Sequence, residues 1–303
     1  MELRQLGKTE LRVSSIGMGC VTFGREIDRP ASFAVLDRAV ERGITLFDTA
    51  EAYAQGESER VLGEWLEDRG LRDQIVLASK VTVPLTAERV VRSAEESLRR
   101  LRVEQIDLFQ LHTWDPDTPL EETLTALDRL VTSGKVRYIG CSNWRAWQLA
   151  KALLLCQSSG LARIQSVQPP YNLVQRDIEA DLLPLCADQG IGVLSYSPLA
   201  AGFLTGKYGH GDRVPQGTRF DVIPGHQPLY FTPDGYAAID RLEQASSLTR
   251  HSMVQLALAW VLRQPHVSSV LIGARTPEQV DQAFEAEKLE LTPDVLQRLT
   301  NDS

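Results

Sequence analysis

Three ionisable side chains stand at a constant spacing, each at the end of a short apolar run. They are Asp48, Lys80 and His112, and Tyr53 lies in the segment that follows Asp48. A tyrosine of ordinary pKa, about 10, is too weak an acid to act at neutral pH. An ammonium about 4 Å away favours the phenolate by up to ~4 kcal/mol at an effective dielectric constant of about 20, which lowers the pKa by as much as about three units. We therefore predict that Lys80 makes Tyr53 a proton donor and that Asp48 keeps Lys80 charged. His112 would then orient a substrate oxygen by a hydrogen bond.

Each of these residues also has a purely structural explanation. A carboxylate at a strand end can cap a helix, a lysine can lie on a solvated rim, and a histidine can belong to the core. Three such groups at consecutive strand ends are hard to explain as caps, so we favour a shared site. The five histidines are scattered, and Asp48 with His112 supplies too few ligands for zinc, so no metal site is predicted.

The elements that would position these groups alternate along the chain. Short apolar runs rich in β-branched residues are separated by longer segments of helical period, such as 86–101 and 252–262. Alternating strands and helices with short connections form parallel sheets, and eight such units in a row predict a closed (β/α)8 TIM barrel, whose C-terminal strand ends meet around one mouth. The predicted strands are residues 14–19, 45–50, 75–80, 106–112, 136–143, 164–169, 191–198 and 268–273.

An open doubly wound sheet is the alternative to the barrel. Its dinucleotide-binding turn reads G-x-G-x-x-G, whereas "GMGCVTFG" at 17–24 has a different spacing, so the barrel is favoured. The sequence also predicts an N-terminal β-hairpin at 2–16, a long loop at 201–235 after the seventh strand, and an extra C-terminal helix at 292–300. The loop is rich in Gly and Pro and carries aromatic residues, and we expect it to fold over the site. We expect residues 1–303 to form one domain.

The composition and the N-terminal sequence limit the binding partners and the cellular compartment that we expect for this protein. A net charge of −8 argues against nucleic acid and anionic membranes as partners. The N-terminal "MELRQLGKTE" has no apolar signal segment, and no run approaches the ~20 apolar residues of a membrane span. We therefore expect a cytoplasmic protein, either a monomer or a small homo-oligomer. Its cysteines form no C-x-x-C pair, so we expect reduced, mostly buried thiols; they are Cys20, Cys141, Cys156 and Cys186.

Several longer motifs resemble those of one enzyme family, the aldo-keto reductases. They are "GITLFDTAEAYAQGESE", "LASK", "QLHTWDPDTP", "GKVRYIGCSNW", "QPPYN", "YSPLAAGFLTGKY" and "IGARTPEQ". In that family an Asp–Tyr–Lys–His tetrad reduces carbonyl groups with NADPH. The resemblance implies that Tyr53 is the general acid, that Asp48 and Lys80 tune it, and that His112 positions the carbonyl of a small-molecule substrate.

The resemblance also implies a set of cofactor-binding residues. Ser142, Asn143 and Gln168 would bind the nicotinamide carboxamide, and the ring would stack on Tyr196. Gly273 and Gln279, in the last motif, are also expected to bind the cofactor. The residues expected near the pyrophosphate are Ser197, Leu199, Gly202 and Lys207.

Residues at the adenosine end bear on the choice between NADPH and NADH. Arg275 with Lys207 would place positive charge at the adenosine end, which suits the 2′-phosphate of NADPH. Gln282 and Ala283 stand where many family members carry Glu-Asn, which leaves NADH possible.

The walls of the substrate pocket and the function itself have alternatives. Trp114 and Trp144 are candidate walls, although packing in the core or at the rim explains them equally well, and Phe23 is a further candidate wall. The leading function is an NADPH-dependent carbonyl reductase. A nucleotide-binding regulatory or scaffold subunit, like the potassium-channel β-subunits, is the second hypothesis. An unrelated barrel hydrolase or isomerase using Asp48 and His112 is the third, and it predicts no nucleotide binding.

Overall fold

Strands and helices alternate along most of the chain. The computed structural model describes residues 1–210, 214–222 and 224–300. The strands are β1 Leu3–Gln5, β2 Arg12–Ser14, β3 Ile16–Gly19, β4 Leu46–Asp48, β5 Val76–Val81, β6 Ile106–Leu111, β7 Val136–Ser142, β8 Ile164–Gln168, β9 Gly192–Ser195 and β10 Val267–Ile272. The helices are α1 Arg29–Glu41, α2 Glu57–Arg69, α3 Ala87–Leu101, α4 Leu120–Thr132, α5 Ala146–Ser159, α6 Leu182–Gln189, α7 Arg219–Val222, α8 Gln227–Tyr230, α9 Pro233–Thr249, α10 Met253–Leu262, α11 Pro277–Lys288 and α12 Pro293–Thr300.

The eight strands β3 to β10 close into a parallel barrel in the order β10-β3-β4-β5-β6-β7-β8-β9. This confirms the predicted (β/α)8 barrel and its strands. The antiparallel pair β1–β2 confirms the hairpin. Gly7 in its turn approaches the backbone of Gln165 and Gly192, near the first residues of β8 and β9. The hairpin therefore lies at the N-terminal end of the barrel, opposite the end where Asp48 lies.

The helices bury apolar stripes against the barrel. In α3 the hydroxyl of Thr86 accepts a hydrogen bond from the backbone N–H of Arg89, as expected for the residue that caps a helix. Helix α10 is apolar almost all round, and its residues from Leu256 to Leu262 are buried, so the helix is deeply packed. The predicted extra C-terminal helix is α12. Among the residues that the structure describes, no helix has the length and apolar character that a membrane crossing requires.

The long loop contains more structure than its composition predicts. It holds a 3₁₀ segment, Ala200–Thr205, and the short helices α7 and α8, while α9 begins at Pro233, inside the predicted loop. Residues 211–213 and 223 of this loop lie outside the described residues. The prediction of an irregular segment up to residue 235 is therefore wrong in detail.

Aromatic side chains give the loop a core of its own. The ring of Phe203 lies 5.1 Å from that of Phe231 and 6.2 Å from that of Tyr230, measured between centroids. Phe203, Tyr208 and Phe220 are buried. The loop thus buries its aromatic residues largely against one another, and this cluster supports the wall that the loop forms beside the site.

Candidate active site

The predicted tetrad meets at the C-terminal end of the barrel. Asp48 ends β4, Lys80 lies near the end of β5, and His112 directly follows β6. The side chain of Lys80 donates hydrogen bonds to the carboxylate of Asp48, to the Thr49 carbonyl at 2.9 Å, and to the Tyr53 hydroxyl oxygen at 3.2 Å. The rings of Tyr53 and His112 are 5.7 Å apart and nearly perpendicular. The spacing along the chain therefore corresponds to one compact cluster.

Lys80 is a fully buried cation with an acceptor for each of its three N–H groups. Burial opposes its charge, but Asp48 and Tyr53 outweigh burial and raise the pKa of Lys80 above its ordinary value. Because the ammonium donates to the oxygen of Tyr53, the hydroxyl proton of Tyr53 must point elsewhere. That proton is available to a group in the cavity that Tyr53 lines.

The predicted lowering of the Tyr53 pKa is wrong in this structure. Burial is the largest influence, and with the negative charge of Asp48 it outweighs Lys80, so the pKa of Tyr53 is raised above 10.0. The prediction considered only the ammonium and left out burial and the second charge. Tyr53 therefore stays protonated at neutral pH, which is the state that a proton donor needs.

His112 is neutral at physiological pH. Burial, and then the charge of Lys80, lower its pKa from 6.5 to about 4. Its Nδ1 is buried and has no hydrogen-bond partner in the described part of the chain. The side chain also lines the cavity. A neutral imidazole at this position can donate a hydrogen bond to a carbonyl oxygen without placing a positive charge beside it.

Asp48 is held by two glutamine side chains as well as by Lys80. Gln168 donates its side-chain amide to Asp48 Oδ1 at 2.9 Å, and Gln110 donates to the same oxygen at 3.1 Å. Gln110, which is fully buried in β6, was not among the residues predicted from the sequence. Its signal was a polar residue in an apolar strand, two positions before His112 and hence facing the same side.

A cavity of about 660 Å³ runs from the tetrad past the ends of several strands. Its volume falls in the range of sites for small molecules and cofactors. Asp48, Tyr53 and His112 line it, whereas Lys80 lies behind them. Every residue predicted to bind the cofactor also lines it: Ser142, Asn143, Gln168, Tyr196, Ser197, Leu199, Gly202, Lys207, Gly273, Arg275 and Gln279.

Hydrogen bonds fix the ring of Tyr196 beside the tetrad. Its hydroxyl donates to Asn143 Oδ1 at 2.7 Å, and Asn143 Nδ2 donates to the carbonyl oxygen of His112 at 2.9 Å. Asn143, Ser197 and Ala201 have positive φ angles of 59°, 53° and 55°, which non-glycine residues seldom adopt. Strained backbone of this kind concentrates at functional sites, and here it borders the cavity.

Comparison with known proteins agrees with this geometry. The sequence matches the Aldo/keto reductase family model over residues 15–301. The chain belongs to the aldo/keto reductase family. As an aldo/keto reductase it is an oxidoreductase, and its family uses a nicotinamide cofactor and small-molecule carbonyl substrates. The family assignment leaves no support for the hydrolase or isomerase hypothesis.

Relatives whose names indicate different functions cover nearly the whole chain. The uncharacterized oxidoreductase YrpG of Bacillus subtilis is 35% identical, over 100% of this chain and 95% of the relative. The aldo-keto reductase YhdN of the same species is 34% identical, over 94% and 88%. A putative voltage-gated potassium channel subunit beta of Schizosaccharomyces pombe is also 34% identical, over 98% and 91%. Sequence similarity alone therefore does not decide whether this oxidoreductase works chiefly as a carbonyl reductase or as a regulatory subunit.

The cavity of this aldo/keto reductase has a cationic end that suits a nucleotide. Lys207 and Arg275 both line it, and burial followed by the charge of Arg275 lowers the pKa of Lys207. Two neighbouring cations that repel each other gain stability when an anion binds between them. With the aromatic ring of Tyr196 near the tetrad, the residues fit a dinucleotide that carries phosphates at one end and a flat ring at the other.

The candidate substrate walls lie outside the cavity. Phe23 is fully buried in the core, and Trp144 is buried with Trp114 packed edge-on against it at 4.9 Å. None of these three is among the described residues that line the cavity. Core packing therefore describes them better, because the sequence did not specify which way their side chains point. Apolar residues such as Val21 and Leu229 line the cavity instead.

Proposed function

We propose that this aldo/keto reductase reduces small aldehydes or ketones to alcohols with NADPH, and that NADH can replace NADPH. The observation that carries the proposal is the hydrogen bond from buried Lys80 to the oxygen of Tyr53, which leaves the hydroxyl proton facing the cavity. When bound, the cofactor supplies the hydride. We further propose that the protein is cytoplasmic and that residues 1–303 act as one domain, as a monomer or a small homo-oligomer.

The tetrad residues have distinct roles in this proposal. Neutral His112 donates a hydrogen bond to the substrate carbonyl oxygen and orients it toward Tyr53. As negative charge develops on that oxygen, Tyr53 transfers its proton to it. The resulting phenolate is stabilised by the ammonium of Lys80, 3.2 Å away. Asp48 keeps Lys80 protonated and fixes its position.

The other cavity residues would hold the cofactor. Ser142, Asn143 and Gln168 would contact the carboxamide, and the face of Tyr196 would support the nicotinamide ring. Arg275 would lie at the adenosine end together with Gly273 and Gln279. The residues proposed near the pyrophosphate are Ser197, Leu199, Gly202 and Lys207.

The test is turnover of NADPH with an activated aldehyde such as 4-nitrobenzaldehyde. We expect NADPH to be consumed and 4-nitrobenzyl alcohol to form in equal amounts. Quenching of tryptophan fluorescence by NADPH measures cofactor binding in the same sample. Failure to bind NADPH or NADH would contradict the proposal outright.

A regulatory or scaffold subunit is the second candidate, because one relative of 34% identity is named a potassium channel β-subunit. That candidate predicts tight nucleotide binding with negligible turnover across a panel of aldehydes and ketones. It also predicts a protein partner that is retained on the purified chain. Rapid multiple turnover of any aldehyde would favour the reductase.

A further inference from the structure

A carboxylate lies among the arginines at the cationic end of the cavity. Glu26 Oε1 accepts hydrogen bonds from Arg219 at 2.6 Å and from Arg25 at 2.5 Å, and Oε2 lies 2.9 Å from Arg275 Nε. The Glu26 side chain is only 19% exposed. Glu26, Arg219 and Arg275 all line the cavity. The acid is therefore part of the site and not a solvated surface charge.

The ion pairs of Glu26 connect three separate segments. Glu26 lies between β3 and α1, Arg219 is the first residue of α7 in the long loop, and Arg275 follows β10. Glu26 thus forms ion pairs with the guanidinium groups of Arg219 and Arg275, which would otherwise be free to bind an incoming anion. A phosphate that approaches Arg275 must compete with this carboxylate, which also repels it.

An acid in this position discriminates between the two forms of a nicotinamide dinucleotide. A carboxylate accepts a hydrogen bond from a free ribose 2′-hydroxyl, whereas it repels a 2′-phosphate. Arg275, in contrast, attracts a 2′-phosphate. The two side chains therefore act in opposite directions on cofactor choice, and they are in direct contact.

We infer that Glu26 is a specificity-determining residue, which competes with a 2′-phosphate for Arg275 and brings the affinities for NADPH and NADH close together. The inference rests on the proposed function, because it assigns the cationic end to the 2′ position of the cofactor. It adds a residue outside the motifs that point to cofactor binding.

The test uses two ligands that differ only in the 2′ group, 2′,5′-ADP and 5′-AMP, with calorimetric dissociation constants for each. Replacement Glu26→Gln removes the charge and keeps a hydrogen-bonding side chain of the same length. We expect the ratio Kd(5′-AMP)/Kd(2′,5′-ADP) to rise about tenfold, because one nearby like charge is removed. The increase should shrink at high salt, because the competing charges are partly exposed.

Controls separate charge from shape. Glu26→Asp keeps the carboxylate and should leave the ratio within about threefold of wild type, while Glu26→Ala should repeat the rise. In an Arg275→Gln background the effect of Glu26→Gln should largely disappear, since the two residues would no longer compete for one anion.

The outcomes are distinguishable. An unchanged ratio in both Glu26→Gln and Glu26→Ala, or a shift toward 5′-AMP, overturns the inference while the proposed reductase stands. A wild-type protein that binds neither NADPH nor NADH overturns the proposed function itself. Fluorescence titrations with the intact cofactors should show the same change. Wild type should bind NADPH and NADH with similar affinity, and Glu26→Gln should prefer NADPH.

Discussion

Replacing Lys80 by methionine tests the buried ion pair that organises the tetrad. Lys80 is fully buried, and Asp48 is 2% exposed. Removing one member of such a pair leaves an uncompensated charge, which typically destabilises a protein by about 3–5 kcal/mol. Lys80→Met also leaves the oxygen of Tyr53 and the carbonyl of Thr49 without a donor. We therefore expect the free energy of unfolding to fall by about 3–5 kcal/mol at neutral pH, measured by urea denaturation.

The double variant Asp48→Asn/Lys80→Met is the matched control. It removes both charges, and the asparagine Oδ1 can still accept from Gln110 and Gln168. Because neither charge is then left alone, we expect it to be more stable than Lys80→Met by at least about 2 kcal/mol. The reasoning is refuted if Lys80→Met loses less than about 1 kcal/mol, the value of an exposed pair. It is also refuted if the loss of the double variant equals the sum of the losses of Lys80→Met and Asp48→Asn measured singly.

Three further predictions concern other parts of the molecule. Gln110→Leu removes a donor from Asp48, and we expect kcat/KM to fall about tenfold with the NADPH dissociation constant unchanged; equal activity would contradict a positioning role. The folded-state pKa of His112 is about 4, below its ordinary 6.5. The unfolded chain therefore binds a proton first as pH falls. The free energy of unfolding of wild type should fall by about 2 kcal/mol between pH 7.5 and 5, and His112→Gln should not show this loss. Urea denaturation of both proteins at the two pH values measures the difference, and an equal loss in both would contradict the prediction. A Cβ on Gly235 would lie 1.9 Å from the carbonyl oxygen of Tyr230, so Gly235→Ala should destabilise by about 1–3 kcal/mol, and an unaltered Tm would show that the loop adapts freely.

The barrel and the positions of the tetrad could be predicted because they depend on local patterns. Each strand is a short apolar run, and each candidate stands where such a run ends. In a barrel, the C-terminal ends of the strands lie around one mouth, independently of the loop conformations. This is why Asp48, Lys80 and His112 could be grouped before their distances were known. The contact between Lys80 and Tyr53 follows from the short connection after β4.

Properties that depend on three-dimensional surroundings could not be predicted in the same way. The direction of the Tyr53 pKa depends on burial and on Asp48 as well as on Lys80. Glu26 meets Arg219 across 193 residues of chain, so no local pattern marks it.

Side-chain direction limited the remaining predictions. Phe23 could face either the mouth or the core, and the structure places it in the core. In the long loop, the contact between Phe203 and Phe231 joins positions without helical or strand periodicity. Such packing has no signature in a single sequence.

The most direct measurement for the central claim is a single turnover of NADPH-loaded enzyme with 4-nitrobenzaldehyde, comparing wild type with Tyr53→Phe. The variant keeps the ring and loses only the proton that would be donated. We predict that the rate of NADPH oxidation falls by about 10²–10⁴-fold, while the NADPH dissociation constant stays within about twofold. A Tyr53→Phe protein that binds NADPH normally and oxidises it at the wild-type rate would contradict the account.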